Sequence, residues 1–344
     1  MKKTKSKAFI VYSVIFYAVA IALMAVGTAL DLKIDMAIFN PENTFAQLAE
    51  AFGQFTYWGI WGIAFAIIFV CRRDLNESLT VIGKLLPFVK PAKNTDGKAY
   101  KLFNFIVKAI TTLGFFVLCG VGWKKLIENV IKNILLLQGK DNWGQPIYFG
   151  ISFVVAIISI ILVSKIDKNA LKRLEALALA GVLFGILCKI VEECKNITSR
   201  VRFREMVAYS NGFLNDEGLS EGKHSPLTSV MAKGTDFGAF TPWYKIGDDM
   251  GIYSRADSFP SGHTTYATST FLLMLVCTTF DRLKKLAPFA LCVATVYTFV
   301  MAYTRLVTGA HYLTDVAGAM IIGYTVFLIV RSIYNSFVER KVIG

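Results

Sequence analysis

A short segment that combines a glycine turn with a histidine stands at the start of an apolar run. Residues 258–265 read SFPSGHTT, and the chain then continues as the apolar stretch YATSTFLLMLVCTTF. Glycine and the start of a helix both expose backbone N–H groups, and such groups bind anions. His263 adds a side chain that titrates near neutral pH. The segment therefore predicts an anion site with a proton donor at its edge.

A second histidine lies in YTRLVTGAHYLTDVAGA, residues 303–319. His311 and Asp315 are four residues apart, so on a helix they share one face. A carboxylate there holds the imidazole in one tautomer and stabilises the imidazolium. Arg305 precedes His311 by six residues, and Gly309 between them can turn the chain. The turn would place a guanidinium, which binds oxyanions in bidentate fashion, beside the ring.

A third group of polar residues lies in KNITSRVRFRE, residues 195–205. Lys195 and Arg202 are seven residues apart, about two helical turns, which predicts that both lie on one helix face. With the two later segments they supply two imidazoles, three fixed cations and a glycine turn, a set that suits a phosphoryl group. Cations neutralise its oxygens, one histidine attacks the phosphorus, and the other protonates the leaving oxygen.

The elements that must position these residues are membrane spans. The chain has 344 residues, of which 55% are hydrophobic and only 18% are charged. Its mean hydropathy is +0.52, and the apolar residues fall in runs close to the roughly 20 residues that cross a bilayer. We therefore expect an all-α, polytopic transmembrane helical bundle. The eight predicted spans are Ala8–Leu30, Gln54–Cys71, Leu102–Gly122, Ile147–Val163, Ala176–Val191, Thr264–Phe280, Leu286–Tyr303 and Tyr312–Val330.

The net charge of +13 is best explained by topology. With the N-terminus inside, nearly all of the basic excess falls on inside segments, in accord with the positive-inside rule, so nucleic acid is not needed as a partner. An even number of spans places both termini in the cytoplasm. The predicted anion-binding segments then share the extracytoplasmic side of a plasma membrane.

Taken in order, these segments resemble the motifs of the type-2 phosphatidic acid phosphatase superfamily, Lys-x6-Arg-Pro, Pro-Ser-Gly-His and Ser-Arg-x5-His-x3-Asp. The resemblance covers about residues 176–330, and FTPWY ahead of the second motif is also similar to bacterial lipid phosphatases of this group. The chain departs from the pattern at Phe203, where the family has proline, and at Thr304, where it has serine. Neither change removes a charge or a histidine.

The resemblance implies a role for each matching residue. His311 is the nucleophile that forms a phosphohistidine, Asp315 orients it, and His263 is the general acid. Lys195, Arg202, Arg305, Ser261 and the Gly262 backbone bind the substrate phosphate. It also implies a six-span core, so an additional pair of spans is expected in the N-terminal half, and it implies neither a metal nor a cofactor. His224 matches no motif, and we expect it to be a solvated loop residue.

The predicted organisation has three parts. Residues 1–175 are N-terminal spans, residues 176–330 are the catalytic core with an outside loop over 192–263, and residues 331–344 are a cytoplasmic tail. Within the first part, residues 124–138 have apolar residues at helical spacing. This segment is either a helix that lies on the membrane or one that packs on the spans, and both interpretations stay open.

The expected function is hydrolysis of a lipid phosphomonoester or pyrophosphate at this site. Phosphatidic acid, phosphatidylglycerophosphate, diacylglycerol pyrophosphate and undecaprenyl pyrophosphate offer the same headgroup chemistry, so the partners are a lipid phosphate substrate and membrane lipids. The alternatives are a lipid phosphotransferase and a non-catalytic protein that binds phospholipid. Haloperoxidases share the motifs but are soluble, and the predicted spans argue against them.

Overall fold

A computed structural model describes residues 2–71, 98–137, 144–214, 218, 237, 240–247, 253 and 255–339. Within these ranges the chain is helical and has no β-sheet, which confirms the all-α class. His224 and most of the outside loop lie beyond the described residues. The helices are α1 (Lys2–Ile38), α2 (Thr44–Phe52), α3 (Phe55–Val70), α4 (Lys98–Leu137), α5 (Gln145–Ser164), α6 (Lys168–Leu187), α7 (Ile190–Thr198), α8 (Phe203–Ser210), α9 (Gly262–Ala267), α10 (Leu272–Thr279), α11 (Ala287–Val307) and α12 (Leu313–Glu339).

Within the described residues, six helical segments are long and apolar enough to cross a membrane, and the protein is a membrane protein. They correspond to six of the eight predicted spans. The predicted span Thr264–Phe280 is broken into α9, a 3₁₀ turn over Thr268–Phe271, and α10, so no single helix there has the required length. The predicted span Leu102–Gly122 lies inside the 40-residue α4, whose side chains are described only in part.

The helix α4 also answers the open question about residues 124–138. The predicted span and this segment form one continuous helix up to Leu137. Leu126 is buried, and the Asn129 side chain donates a hydrogen bond to the Ala51 carbonyl of α2 at 3.1 Å. At Leu126 and Asn129 the described part of the segment therefore packs on other helices of the protein.

The helices around α3 approach closely at small residues. A Cβ at Gly122 of α4 would lie 2.9 Å from the Gly62 backbone nitrogen of α3, which is closer than side chains allow. On the other side of α3, the Tyr57 hydroxyl donates to the Gly185 carbonyl of α6 at 3.1 Å. Small residues are typical where membrane helices pack, since there is no water to drive their association and van der Waals contact replaces it.

The first and last helices of the described chain, α1 and α12, pack side by side. Phe16 and Tyr324 lie in contact with ring centroids 4.4 Å apart, and Phe271 and Phe327 extend this buried aromatic cluster. Residues on the other face of α1, among them Ile10 and Val14, are exposed, as expected for a surface that faces lipid. Because α12 follows His311 directly, the packing of α1 on α12 brings the N-terminal helix to the predicted site.

Candidate active site

The first basic motif is not helical throughout, which corrects the expectation that one helix face carries it. The helix α7 ends at Thr198, Ser199 adopts the left-handed conformation with φ 43°, and α8 begins at Phe203. Lys195 therefore lies on a helix and Arg202 in the extended segment after it. Both are nonetheless buried beside the same carboxylate, that of Asp257.

The segment before the Pro-Ser-Gly-His motif is bound to this extended segment. The Ser258 backbone N–H donates to the Arg200 carbonyl at 2.9 Å, and the Thr198 hydroxyl donates to the Phe259 carbonyl at 2.9 Å. Ser261 then caps α9 with its side chain, and its N–H donates to the Asp315 carbonyl at 3.1 Å. These bonds hold the first and second motifs against the start of α12.

The turn between α11 and α12 depends on Gly309. Its φ is +60°, and a Cβ there would lie 2.6 Å from the Phe39 ring, so any other residue is both strained and obstructed. The backbone N–H groups of Ala310 and His311 donate to the Arg305 carbonyl and close the end of α11. The turn thus places the His311 side chain immediately before α12.

The His311 ring is held mainly by a backbone carbonyl. Its Nδ1 lies 2.6 Å from the Ser258 carbonyl oxygen and 3.8 Å from Asp315 Oδ2. A carbonyl can only accept, so Nδ1 carries the hydrogen and Nε2 is left as the unprotonated nitrogen. The Asp315 Oδ2 atom instead accepts from the Ser258 hydroxyl at 2.5 Å and from the Tyr312 N–H at 2.8 Å. Asp315 therefore acts on His311 largely through Ser258 and Tyr312.

Electrostatics also favours a neutral His311. Burial lowers its pKa to about 3, and the positive charges of Arg202 and Lys195 act in the same direction, whereas Asp315 partly offsets them. A buried imidazole that is neutral at physiological pH has a lone pair available for attack.

Behind Asp315 lies Arg200, a buried residue between the two cations of the first motif. Its guanidinium donates to Asp315 Oδ1 at 2.5 Å, to Asp31 Oδ2 at 2.9 Å and to the Thr314 hydroxyl at 2.8 Å, and its Nε donates to the Thr241 carbonyl at 2.7 Å. Asp31 belongs to α1 and also accepts from the Thr314 N–H at 3.0 Å. The network connects the N-terminal helix to the carboxylate beside His311.

The other histidine, His263, faces the end of α2. Its Nε2 lies 3.3 Å from the Glu50 carbonyl oxygen and 3.4 Å from the Gln54 amide nitrogen. Trp58 donates to Gln54 Oε1 at 2.8 Å, which fixes the amide so that its NH₂ group faces the imidazole. Nε2 thus has an acceptor for its protonated form and a donor for its neutral form, an arrangement suited to a group that gains and loses a proton.

A cavity of about 230 Å³ joins these groups. Of the predicted site residues, Lys195, Arg202, Gly262, His263 and His311 line it. Asp315 and Ser261 are buried behind the lining and support it. Arg305 is also buried, and its Nη2 lies 3.2 Å from Oε1 of the lining residue Glu50.

Further residues line the cavity to which the sequence assigned no role in the site. The additional lining residues are Glu50, Gln54, Asn129, Glu192, Arg204, Arg255, Asp257 and Tyr266. They come from α2, the turn between α2 and α3, α4, α7, α8, α9 and the segment before the second motif, and no fixed spacing relates them to the histidines. Asp31 did carry a signal, because an acidic residue at the end of an apolar run marks a functional or paired group, but the predicted span ended one residue before it.

A family model, the PAP2 superfamily, matches residues 214–339, which include His263, Arg305, His311 and Asp315 but not the first motif with Lys195 and Arg202. A search of curated proteins and a search of solved structures gave no match. PAP2 proteins are generally phosphatases, and the match suggests phosphatase activity on lipid-type phosphates. The match agrees with the resemblance drawn from the motifs: residues 214–339 of this membrane protein are similar to the PAP2 superfamily.

Proposed function

We propose that the protein is an integral-membrane phosphatase that hydrolyses a lipid phosphomonoester or pyrophosphate through a phosphohistidine on His311. The observation that carries the proposal is the contact of His311 Nδ1 with the Ser258 carbonyl, because it leaves Nε2 as a neutral nucleophile in a cavity lined by cations. A protein that only binds phospholipid has no need of such an imidazole.

The reaction takes place in two steps. Nε2 of His311 attacks the phosphorus, the P–O bond to the lipid breaks, and protonated His263 gives its proton to the departing oxygen. Water then attacks the phosphohistidine, neutral His263 takes a proton from that water, and the N–P bond breaks to release inorganic phosphate. Lys195, Arg202 and Arg305 neutralise the phosphate oxygens in both steps, together with Ser261 and the Gly262 backbone.

The location of the protein and the side of the membrane that its site faces are part of the same proposal. The site faces the extracytoplasmic side of a plasma membrane, both termini lie in the cytoplasm, and residues 176–330 form the catalytic part with α1 as a supporting helix. The lipid tail stays in the membrane, while the headgroup enters the cavity at the ends of the spans.

The purified full-length protein tests the function with a panel of lipid phosphates and pyrophosphates. We expect the protein to release inorganic phosphate in the presence of a chelator, because fixed cations neutralise the phosphate. We also expect vanadate to inhibit this release. Transfer of the phosphate to another lipid instead of water would identify a phosphotransferase. If no substrate is hydrolysed and none leaves labelled phosphate on the protein, the protein is not a phosphatase.

A further inference from the structure

A carboxylate of the protein already occupies part of the proposed phosphate clamp. Asp257 Oδ1 lies 3.0 Å from Arg202 Nη2, and Asp257 Oδ2 lies 3.6 Å from Lys195 Nζ. Arg255 binds the same carboxylate from the other side through Nε at 3.1 Å and Nη2 at 2.8 Å. Two oxygens of one planar anion thus contact cations that the motifs assign to the phosphate.

The carboxylate lies within the cavity and next to the reacting groups. Asp257 lines the cavity together with Lys195, Arg202 and His311. Its chain neighbour Ser258 provides the carbonyl that accepts from His311. A carboxylate and a phosphate present similar pairs of oxygens to a guanidinium, so the two anions compete for the same donors.

The Asp257 side chain is ionised throughout the working pH range. Burial alone would raise its pKa, but the charge of Arg202, the hydrogen bond from Arg255 and the charge of Lys195 outweigh burial and hold the pKa well below its usual range. The carboxylate therefore does not leave the clamp by taking up a proton. An incoming anion must displace it.

Buried donors stay available to such an anion. Among the described residues, Arg202 Nε, Arg305 Nε and Arg305 Nη1 are buried without a hydrogen-bond partner. Buried donors without partners are costly, so these atoms favour a phosphate that satisfies them. Entry of a phosphate is then an exchange in which it gains these donors and the Asp257 carboxylate gives up its place on Arg202 and Lys195.

We propose that Asp257 is an internal competitor of the phosphate, which yields the Lys195–Arg202 pair to the substrate and returns to it as inorganic phosphate leaves. The inference rests on the proposed phosphatase function. A clamp of fixed cations binds substrate and product phosphate alike, and such uniform binding does not raise turnover. A carboxylate of the protein that competes for the clamp weakens the binding of substrate and of product phosphate, and it speeds the departure of the product.

Asp257→Asn tests this role, with inorganic phosphate and vanadate as probes in calorimetry of the full-length protein in detergent. We expect the dissociation constant of both anions to fall by about tenfold or more, a typical size for two coupled binding equilibria. In the lipid assay both KM and kcat should fall, and inhibition by phosphate should become stronger. Asp257→Glu should restore the weaker binding.

Glu193→Gln is the matched control, because it removes one exposed negative charge from α7, the helix that carries Lys195, but not from the cavity or the clamp. An exposed charge is screened by salt, so we expect a change of no more than about threefold. If Glu193→Gln tightens binding as much as Asp257→Asn, or if Asp257→Asn leaves binding unchanged or weaker, the inference is wrong. Asp257→Ser gives the same comparison if the asparagine variant does not fold. Failure of the wild-type protein to bind either anion would instead contradict the proposed phosphate site.

Discussion

At the residue scale, the two histidines differ in the partners that hold them. His311 donates from Nδ1 to a backbone carbonyl in a buried position, whereas His263 has both an acceptor and a donor near Nε2 at the end of α2. A buried neutral ring suits a nucleophile, and a ring with partners for either protonation state suits a general acid.

The protonation state of His311 can be observed directly. Since burial lowers its pKa to about 3, we expect it to stay neutral, with hydrogen on Nδ1, from pH 8 down to pH 5. Nitrogen-15 spectra of the histidine-labelled protein should show two ring nitrogens with the shifts of this tautomer, assigned by comparison with His311→Asn. Titration of the His311 signal near pH 6.5, or hydrogen on Nε2, would contradict the geometry.

Leaving groups separate the roles of the two histidines. General acid catalysis typically contributes about 10² to 10⁴ in rate, and less when the leaving group needs no proton. His263→Ala should therefore cripple hydrolysis of a lipid phosphate and spare much of the cleavage of p-nitrophenyl phosphate, if that substrate is accepted. His311→Ala should abolish both. If both variants lose activity on both substrates equally, or if labelled phosphate is found on His263, these assignments are wrong.

At the element scale, α1 takes part in the site although it lies outside the family match. Asp31 accepts hydrogen bonds from Arg200 and from Thr314, and Arg200 in turn binds Asp315. These groups are buried, and removal of one partner from a buried ion pair costs about 3–5 kcal/mol. The helix α1 thus stabilises the start of α12, where Asp315 lies.

Asp31→Asn measures that contribution. Loss of an outer partner that orients a reactive group commonly costs about 10- to 100-fold in metal sites, and we expect a fall of similar size in kcat. KM should change little, because Asp31 does not line the cavity. Glu42→Gln, which removes an exposed charge just beyond α1, is the control. Unchanged kcat in Asp31→Asn, with the thermal unfolding midpoint measured in parallel, would show that the network has only a structural role.

Local spacing predicted part of this arrangement and not the rest. His311, Asp315 and Arg305 belong to one short segment, so their proximity follows from the chain itself. Asp31 and Arg200 are 169 residues apart, and Glu50 meets Arg305 from another helix, so only packing brings them together. The break at Ser199 was also missed, because a left-handed serine has no distinct sequence signal.

At the scale of the whole molecule, the pattern of charges leads to a prediction of the orientation in the membrane. It predicts that residues 192–263 lie outside and that the turn over residues 281–285 lies inside. In a background without the native cysteines, Ile246→Cys should react with an impermeant thiol reagent in intact cells. Lys284→Cys, on the opposite side, should react only after lysis. The reverse pattern would place the site in the cytoplasm.

The packing of α1 against α12 has a consequence for biogenesis. A ribosome makes α1 well before α12, so Asp31 enters the membrane before Arg200 and Thr314 have been synthesised. During that interval a carboxylate lies near lipid without its cation, and such groups are costly there. The network around Asp315 is therefore complete only after α12 has been inserted, and a product truncated before Arg200 keeps a carboxylate on α1 without its cation.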